Sequence, residues 1–164
     1  MSTSRFAKFL APAFAASFLA ACAGEPQGET QAAAGPEPAV IDERQDNFEA
    51  IGDSFKAIRT QLESGSPDTA IILASASDIN TAAQKVEGHF PEGTSLEDGY
   101  DTEALPAIWA KPDEFAEAHQ MLVDRSAEMV KLAEAGDPAA VGAYVKELGG
   151  ACKNCHDSFR LDDD

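Results

Sequence analysis

Basic residues are scarce in this chain of 164 residues: 12 lysines and arginines stand against 29 aspartates and glutamates, giving a formal net charge of −17. Such an acidic body repels phosphate groups, so nucleic acid and anionic membrane surfaces are poor partners, whereas a basic protein partner would be attracted. Stretches in which apolar and polar residues alternate are also missing. Their absence argues against a fold built from half-buried β-strands.

Cysteine is rare as well, with only Cys22, Cys152 and Cys155. We expect no structural disulfide, because each of the three lies in a motif that uses its sulfur in another way. The chain offers no Ser-His-Asp set, phosphate-binding loop or pair of catalytic carboxylates in a credible context, so we expect it not to be an enzyme. The acidic end, residues 162–164, is predicted to be a solvated tail.

The N-terminus has the layout of a secretory signal peptide. Arg5 and Lys8 precede an uncharged apolar run, Phe9 to Ala21, that is shorter than the ~18 residues a membrane-spanning helix needs. The following Leu19-Ala20-Ala21-Cys22 resembles a bacterial lipobox, in which cleavage precedes the cysteine and acyl chains are attached to it. We therefore expect membrane anchoring through lipid on Cys22 alone. Ordinary cleavage that leaves this cysteine unmodified is the alternative.

Three regions follow from this reading. Residues 1–21 are the predicted lipoprotein signal peptide. Residues 22–39 contain no large apolar side chain and are predicted to form a lipidated, disordered linker. Residues 40–164 are numerous enough for one compact domain with a single core.

Apolar residues in that domain recur at helical spacing in four segments. The first segment carries Ile41, Phe48, Ile51, Phe55, Ile58 and Leu62, and the last carries Val141, Val145, Leu148, Cys152, Cys155 and Phe159. Between them, helices are predicted from about Asp68 to Val86 and from Pro112 to Gly136. Short connections favour an all-α, antiparallel up-down-up-down four-helix bundle. The longer stretch 87–111 is predicted to be irregular, with its aromatic residues holding it against the bundle end.

The most informative motif is Cys152-Lys153-Asn154-Cys155-His156, which has the spacing of a c-type haem attachment site. Residues three apart on a helix share a face, so both sulfurs can form thioethers with one haem, and the adjacent imidazole can bind the iron. A zinc site would need a second pair of ligands, and a redox dithiol would be expected beside a βαβ unit. We predict one covalent haem c, attached outside the cytoplasm, with the chain in the periplasm or cell envelope.

Both haem-binding cysteines fall on the apolar seam of the last helix, which predicts a haem held against the bundle interior. With this arrangement, residues 40–161 resemble cytochrome c′, the class II c-type cytochromes, which are four-helix bundles with a C-terminal haem motif. The matching pieces are Arg44-Gln45, Phe55, Pro106-Ala107-Ile108-Trp109, Ala135-Gly136-Asp137 and the segment from Cys152 to Arg160.

The resemblance implies a role for each matching residue. His156 corresponds to the axial iron ligand, and Arg160 to a basic residue beside the proximal haem face, although a cation that complements the helix dipole is an alternative for Arg160. Arg44 and Gln45 correspond to the pair near the haem propionates. Members of the family are often homodimers through their first two helices.

The distal side of the haem decides the chemistry. Four positions after Arg44, low-spin members of the family carry a methionine that ligates the iron, whereas high-spin members usually carry an apolar residue. This chain has Phe48, whose phenyl ring cannot bind iron. We therefore expect five-coordinate, high-spin iron that binds NO and CO, transfers electrons to a basic redox partner, or does both. An apolar pocket gives bound oxygen no hydrogen-bond donor.

Other side chains that could bind the iron keep an alternative open. His89 and His119 are the two remaining histidines; Met129 is predicted to be core, and Met121 lies off the apolar seam of its helix. A sixth ligand from one of these residues would make the protein a low-spin electron carrier.

Overall fold

The structure, a computed structural model, describes residues 37–162, and this part of the chain is helical. Its helices are α1 (Ala39–Glu63), α2 (Thr69–Ala83), the single turn α3 (Ala107–Ala110), α4 (Pro112–Glu134) and α5 (Pro138–Phe159). The four long helices pack in sequence order, α1 along α2, α2 along α4 and α4 along α5. The predicted four-helix bundle is confirmed.

Helix boundaries follow the capping residues. The carboxylate of Asp137 accepts hydrogen bonds from the backbone N–H of Ala139 (2.9 Å) and Ala140 (3.4 Å), and Pro138 is the first residue of α5. Asp68 caps α2 in the same way. Gly136, after α4, has a φ of 70°, which glycine adopts without steric cost. The short turns that these residues form bring sequential helices side by side.

The core lies along the predicted apolar seams. Its most completely buried large side chains are Ile41, Ile58, Ile72, Ile79, Met129, Val141 and Leu148. Phe48, Phe55 and Cys152 are half-buried and pack against this core. Along the seam of α1, Ile58 lies inside the core, whereas Phe48 and Phe55 lie at its edge.

The connection between α2 and α4, residues 84–111, is more regular than predicted. It contains two 3₁₀ turns, Val86–His89 and Leu96–Asp98, and the short helix α3. The predicted end of the second helix at Val86 was wrong by three residues. The α-helix ends at Ala83, whose carbonyl oxygen lies 2.9 Å from Nε2 of His119, and a 3₁₀ turn carries the chain on to bury Val86.

None of the helices between residues 37 and 162 combines the length and hydropathy needed to cross a bilayer.

The two methionines of α4 give a matched pair of variants. Met129 is fully buried and Met121 is 40% exposed. We expect Met129→Ala to lower the free energy of unfolding by about 2–5 kcal/mol because it leaves a cavity. Met121→Ala should change it by less than about 0.5 kcal/mol. Denaturant titration of the haem-loaded protein measures both, and equal losses would contradict this description of the core.

Candidate haem site

The last two turns of α5 carry all three residues of the attachment motif. Cys152 is half-buried against the main core, and Cys155 is half-buried against a second cluster at the bundle end that contains Ile108, Ala118 and Phe159. Their spacing of three residues places both sulfurs on one side of the helix. Both thiols are free, so nothing in the described chain competes for them.

The environment of the two sulfurs is unlike that of a metal site or a redox dithiol. Burial raises the pKa of Cys152 above the usual value of a thiol, and burial together with the neighbouring Cys152 raises the pKa of Cys155 to about 11. The reactive thiols of disulfide oxidoreductases have pKa values shifted in the opposite direction. Residues 37–162 also contain no group of three or more His, Cys, Asp or Glu side chains placed to hold a metal ion.

The imidazole of His156 is poised to be a ligand. Burial lowers its pKa, and the positive charge of Arg160 lowers it further, while Glu103, Asp157 and Asp162 act in the opposite direction. A lowered pKa keeps the ring neutral at pH 7, with a nitrogen lone pair available to iron.

A haem held by the motif on α5 and by Arg44 of α1 would lie between these two helices. These two helices contact each other far less than the other neighbouring pairs do. They approach each other at two glycines: a Cβ on Gly149 would lie 3.6 Å from Cζ of Phe55, and one on Gly142 would lie 3.8 Å from Cδ2 of Leu62, both of which are ordinary van der Waals distances.

The same approach sets the register of the two helices. Leu62 is level with Gly142 and Phe55 with Gly149, so the helices are antiparallel and the pairing repeats every seven residues. One further step places Phe48 level with His156. The residue expected above the distal face and the expected axial ligand therefore lie at the same height in the bundle.

Arg44 is buried, and its contacts are with the connection 84–111. Its guanidinium donates to Oγ1 (3.0 Å) and the carbonyl oxygen (2.7 Å) of Thr94 and to Oγ1 of Thr102. Gln45 is exposed and donates to the carbonyl oxygen of Asp101 at 2.8 Å. These contacts fasten the connection to α1, which the sequence did not predict.

The charge of Arg44 lacks a counter-ion within the described part of the chain, since no carboxylate there forms an ion pair with it. Burial lowers its pKa, and the more distant Glu37 opposes that effect. Burial of a positive charge is costly unless an anion compensates it. A haem propionate is such an anion, so this residue fits the cofactor that the cysteines predict.

A chain of aromatic rings closes this end of the bundle. Phe90 of the connection lies with its ring centroid 6.3 Å from Phe48, 6.3 Å from Trp109 and 5.0 Å from Phe115, and Phe115 lies 5.3 Å from Phe159. The expectation that aromatic residues hold the connection against the bundle is confirmed. The sequence did not identify Phe90 as a neighbour of Phe48, because the two are 42 residues apart and the connection has no periodicity.

Arg160 ends α5 and is tied to the connection. Its Nε lies 2.5 Å from a carboxylate oxygen of Glu103. Backbone hydrogen bonds flank this ion pair, from Leu105 N–H to the Phe159 oxygen (3.0 Å) and from Leu161 N–H to the Glu103 oxygen (2.8 Å). The guanidinium is thus held near His156, whose pKa it lowers.

The remaining candidate ligands occupy different environments. Met129 lies in the core and Met121 is exposed, whereas Nε2 of His119 is hydrogen-bonded to the carbonyl oxygen at the end of α2. Nδ1 of His89 is buried and has no hydrogen-bond partner within residues 37–162. Cys22, the signal peptide and most of the linker lie outside the described residues.

Comparison with known proteins agrees with the site. The family model described as Cytochrome C′ matches residues 39–160. A cytochrome c′ from Pararhodospirillum photometricum is 34% identical over 128 residues, which are 77% of this chain and 99% of that protein.

Two solved structures extend the comparison. One is a cytochrome c′ with a ligand-controlled dimer dissociation, 25% identical, with a TM-score of 0.71 over 79% of this chain and all of that one. The other is the nitric oxide complex of a variant cytochrome c prime from Alcaligenes xylosoxidans. It is 25% identical, with a TM-score of 0.67 over 75% of this chain and 94% of that one.

The neighbours Arg44 and Gln45 can be compared directly. Arg44→Ala removes two buried hydrogen bonds and one part-buried hydrogen bond and should cost about 2–3 kcal/mol of unfolding free energy. Gln45→Ala removes one exposed bond and should cost about 1 kcal/mol or less. Hydrogen exchange should show faster exchange of the amides of residues 94–102 in the Arg44 variant alone. Exchange in the Arg44 variant that is no faster than in the unsubstituted protein would show that Arg44 does not fasten the connection.

Proposed function

Because the chain belongs to the cytochrome c′ family and carries one covalent haem c, we propose that it binds NO and CO at five-coordinate, high-spin iron. Cys152 and Cys155 would hold the haem through thioethers, and His156 would bind its iron. The proposal is carried by Phe48, which has no atom that binds iron and which the seven-residue register of α1 and α5 places level with His156. The protein is a binding protein, and we assign it no catalytic reaction.

The surroundings of Phe48 favour some gases over others. Its aromatic neighbour Phe90 adds no hydrogen-bond donor, and the donors of nearby Arg44 are largely engaged by Thr94 and Thr102. Oxygen bound to iron is polarised and gains most from a donor, whereas NO and CO depend on one less. The nitric oxide complex of a family member supports the same ligand class.

The haem brings iron redox chemistry to this site when it is bound. Arg44 would hold a propionate through its buried charge, with Gln45 beside it, and Arg160 would flank the proximal side. The exposed face of α1 at this end carries Asp42, Glu43, Asp46 and Glu49. These carboxylates support electron exchange with a basic redox partner, which they would attract most strongly at low salt.

Location and assembly complete the proposal. Family membership agrees with export to the periplasm, and the lipobox supports a lipid anchor at Cys22. A relative with ligand-controlled dimer dissociation supports a homodimer that responds to the bound gas.

One observation favours a second function. Nδ1 of His89 is buried without a hydrogen-bond partner among the described residues, and such a nitrogen is a candidate sixth ligand. Ligation by His89 would make the iron six-coordinate and low-spin, and the protein an electron carrier that binds no gas.

The optical spectrum of the haem-loaded protein separates the two functions. We expect a broad high-spin Soret band in the dithionite-reduced protein that shifts on addition of CO or NO. Sharp α and β bands that CO leaves unchanged would overturn the proposal. His89→Ala should then convert those bands to the high-spin form, if His89 is the ligand.

A substitution at position 48 tests whether this residue faces the open coordination site of the iron. Phe48→Met should supply a thioether to the iron and give the sharp α and β bands of a low-spin haem, with slower CO binding. Phe48→Leu is the control, because it shortens the side chain without adding a ligand and should leave the iron high-spin. Identical high-spin spectra in both variants would show that residue 48 does not face the iron.

The lipid anchor has its own test. Cys22→Ser should move the protein from the membrane fraction to the soluble periplasmic fraction, because the acylated sulfur is lost. Cell fractionation with haem staining measures this shift. If washing with salt or carbonate releases the unsubstituted protein from the membrane fraction, Cys22 is not acylated.

A further inference from the structure

Phe90 belongs to the connection, yet its ring contacts three helices. The guanidinium carbon of Arg44 lies 5.2 Å from its centroid, and the ring meets Phe48 of α1, Trp109 of α3 and Phe115 of α4. Phe90 also packs against both apolar clusters, the main core and the cluster at the bundle end. It is therefore the ring that backs Phe48 on the side of the connection.

Several contacts hold Phe90 in place. Its carbonyl oxygen accepts a hydrogen bond from Nε1 of Trp109 at 3.1 Å. The guanidinium over its face is a cation–π contact, and Phe115 meets the ring edge to face at 69°. Because hydrogen bonds to Thr94 fix Arg44, its guanidinium cannot move together with the Phe90 ring. Displacing Phe90 would break all of these contacts together.

Phe48 is held less firmly. It is half-buried at the edge of the core, and its side chain is hydrocarbon, so no hydrogen bond anchors it. Of the aromatic rings in the described chain, Phe90 alone lies in ring contact with it, at 6.3 Å and an interplanar angle of 61°. If the iron lies beneath Phe48, as the proposed function requires, an arriving ligand has to displace this ring, and the contact with Phe90 would limit the direction and extent of that displacement.

We propose that Phe90 is a specificity-determining residue of the gas site, which restricts ligand entry by limiting how far Phe48 can move. The inference rests on the proposed function, since it requires an iron with an open coordination site beneath Phe48. Because CO binds iron in a linear geometry and NO in a bent one, a fixed backing ring should restrict CO more than NO.

The experiment is a double-mutant cycle on the haem-loaded, reduced protein, with the CO association rate followed by flash photolysis. Phe90→Ala should raise the rate about five-fold, and Phe48→Ala should raise it at least as much. In the Phe48→Ala background, Phe90→Ala should change the rate by less than about two-fold, because the ring it restrains is gone. The NO association rate should rise less than the CO rate in the Phe90 variant.

Two controls separate specificity from loss of stability. Met129→Ala destabilises the core away from this cluster and should leave the CO rate unchanged. Phe90→Leu keeps apolar bulk and should fold even where the alanine variant does not, with a smaller rise in rate in the same direction.

The outcomes distinguish the two proposals. A wild-type protein that binds no CO overturns the proposed function and this inference with it. If CO binds and Phe48→Ala accelerates binding, but neither Phe90 variant does, the proposed function stands and the role of Phe90 is wrong. Independent, multiplicative effects of the two substitutions would also overturn it, because they would show that Phe90 does not act through Phe48.

Discussion

A flat macrocycle can enter a four-helix bundle only where two neighbouring helices stand apart, and this requirement governs the structure. The helices α1 and α5 touch through Phe55 and Gly149 and through Leu62 and Gly142, and contact each other little elsewhere. The attachment motif lies just beyond the last of these contacts. Two helices that stand apart bury less apolar area between them, and the burial of apolar area is the main source of stability in a bundle. Other parts of the chain therefore have to stabilise this end of the bundle.

The connection between α2 and α4 fulfils this role. Arg44 and Gln45 bind it from α1, and Glu103 and Leu105 bind it to the end of α5. It therefore bridges the two helices that barely touch each other. Its aromatic residues close the end of the bundle, and Phe90 joins the main core to the smaller cluster around Phe159. A segment without regular periodicity thus closes the end of the bundle at which the attachment motif lies.

The sequence predicted most features that depend on local patterns. Apolar spacing identified the seams of Ile58 and Leu148, and Asp137-Pro138 marked the start of α5, because caps and periodicity act within one or two turns. The cysteine motif identified the cofactor through its spacing alone. The partners of Arg44 were not predicted, since Thr94 and Thr102 are 50 and 58 residues away and only the tertiary fold brings them together. The ring contact between Phe48 and Phe90 was missed for the same reason.

The burial of the two cysteines also bears on the order in which the protein matures. In the folded chain their pKa values are raised, so little reactive thiolate is present at neutral pH. Both sulfurs are more accessible and more nucleophilic while α5 is still undocked. Because the motif lies in the last turns of α5, the ribosome makes α1, α2 and α4 before it. Attachment to a chain whose last helix has not yet packed is therefore chemically easier than attachment to a finished bundle, and docking of α5 then protects the new thioether bonds.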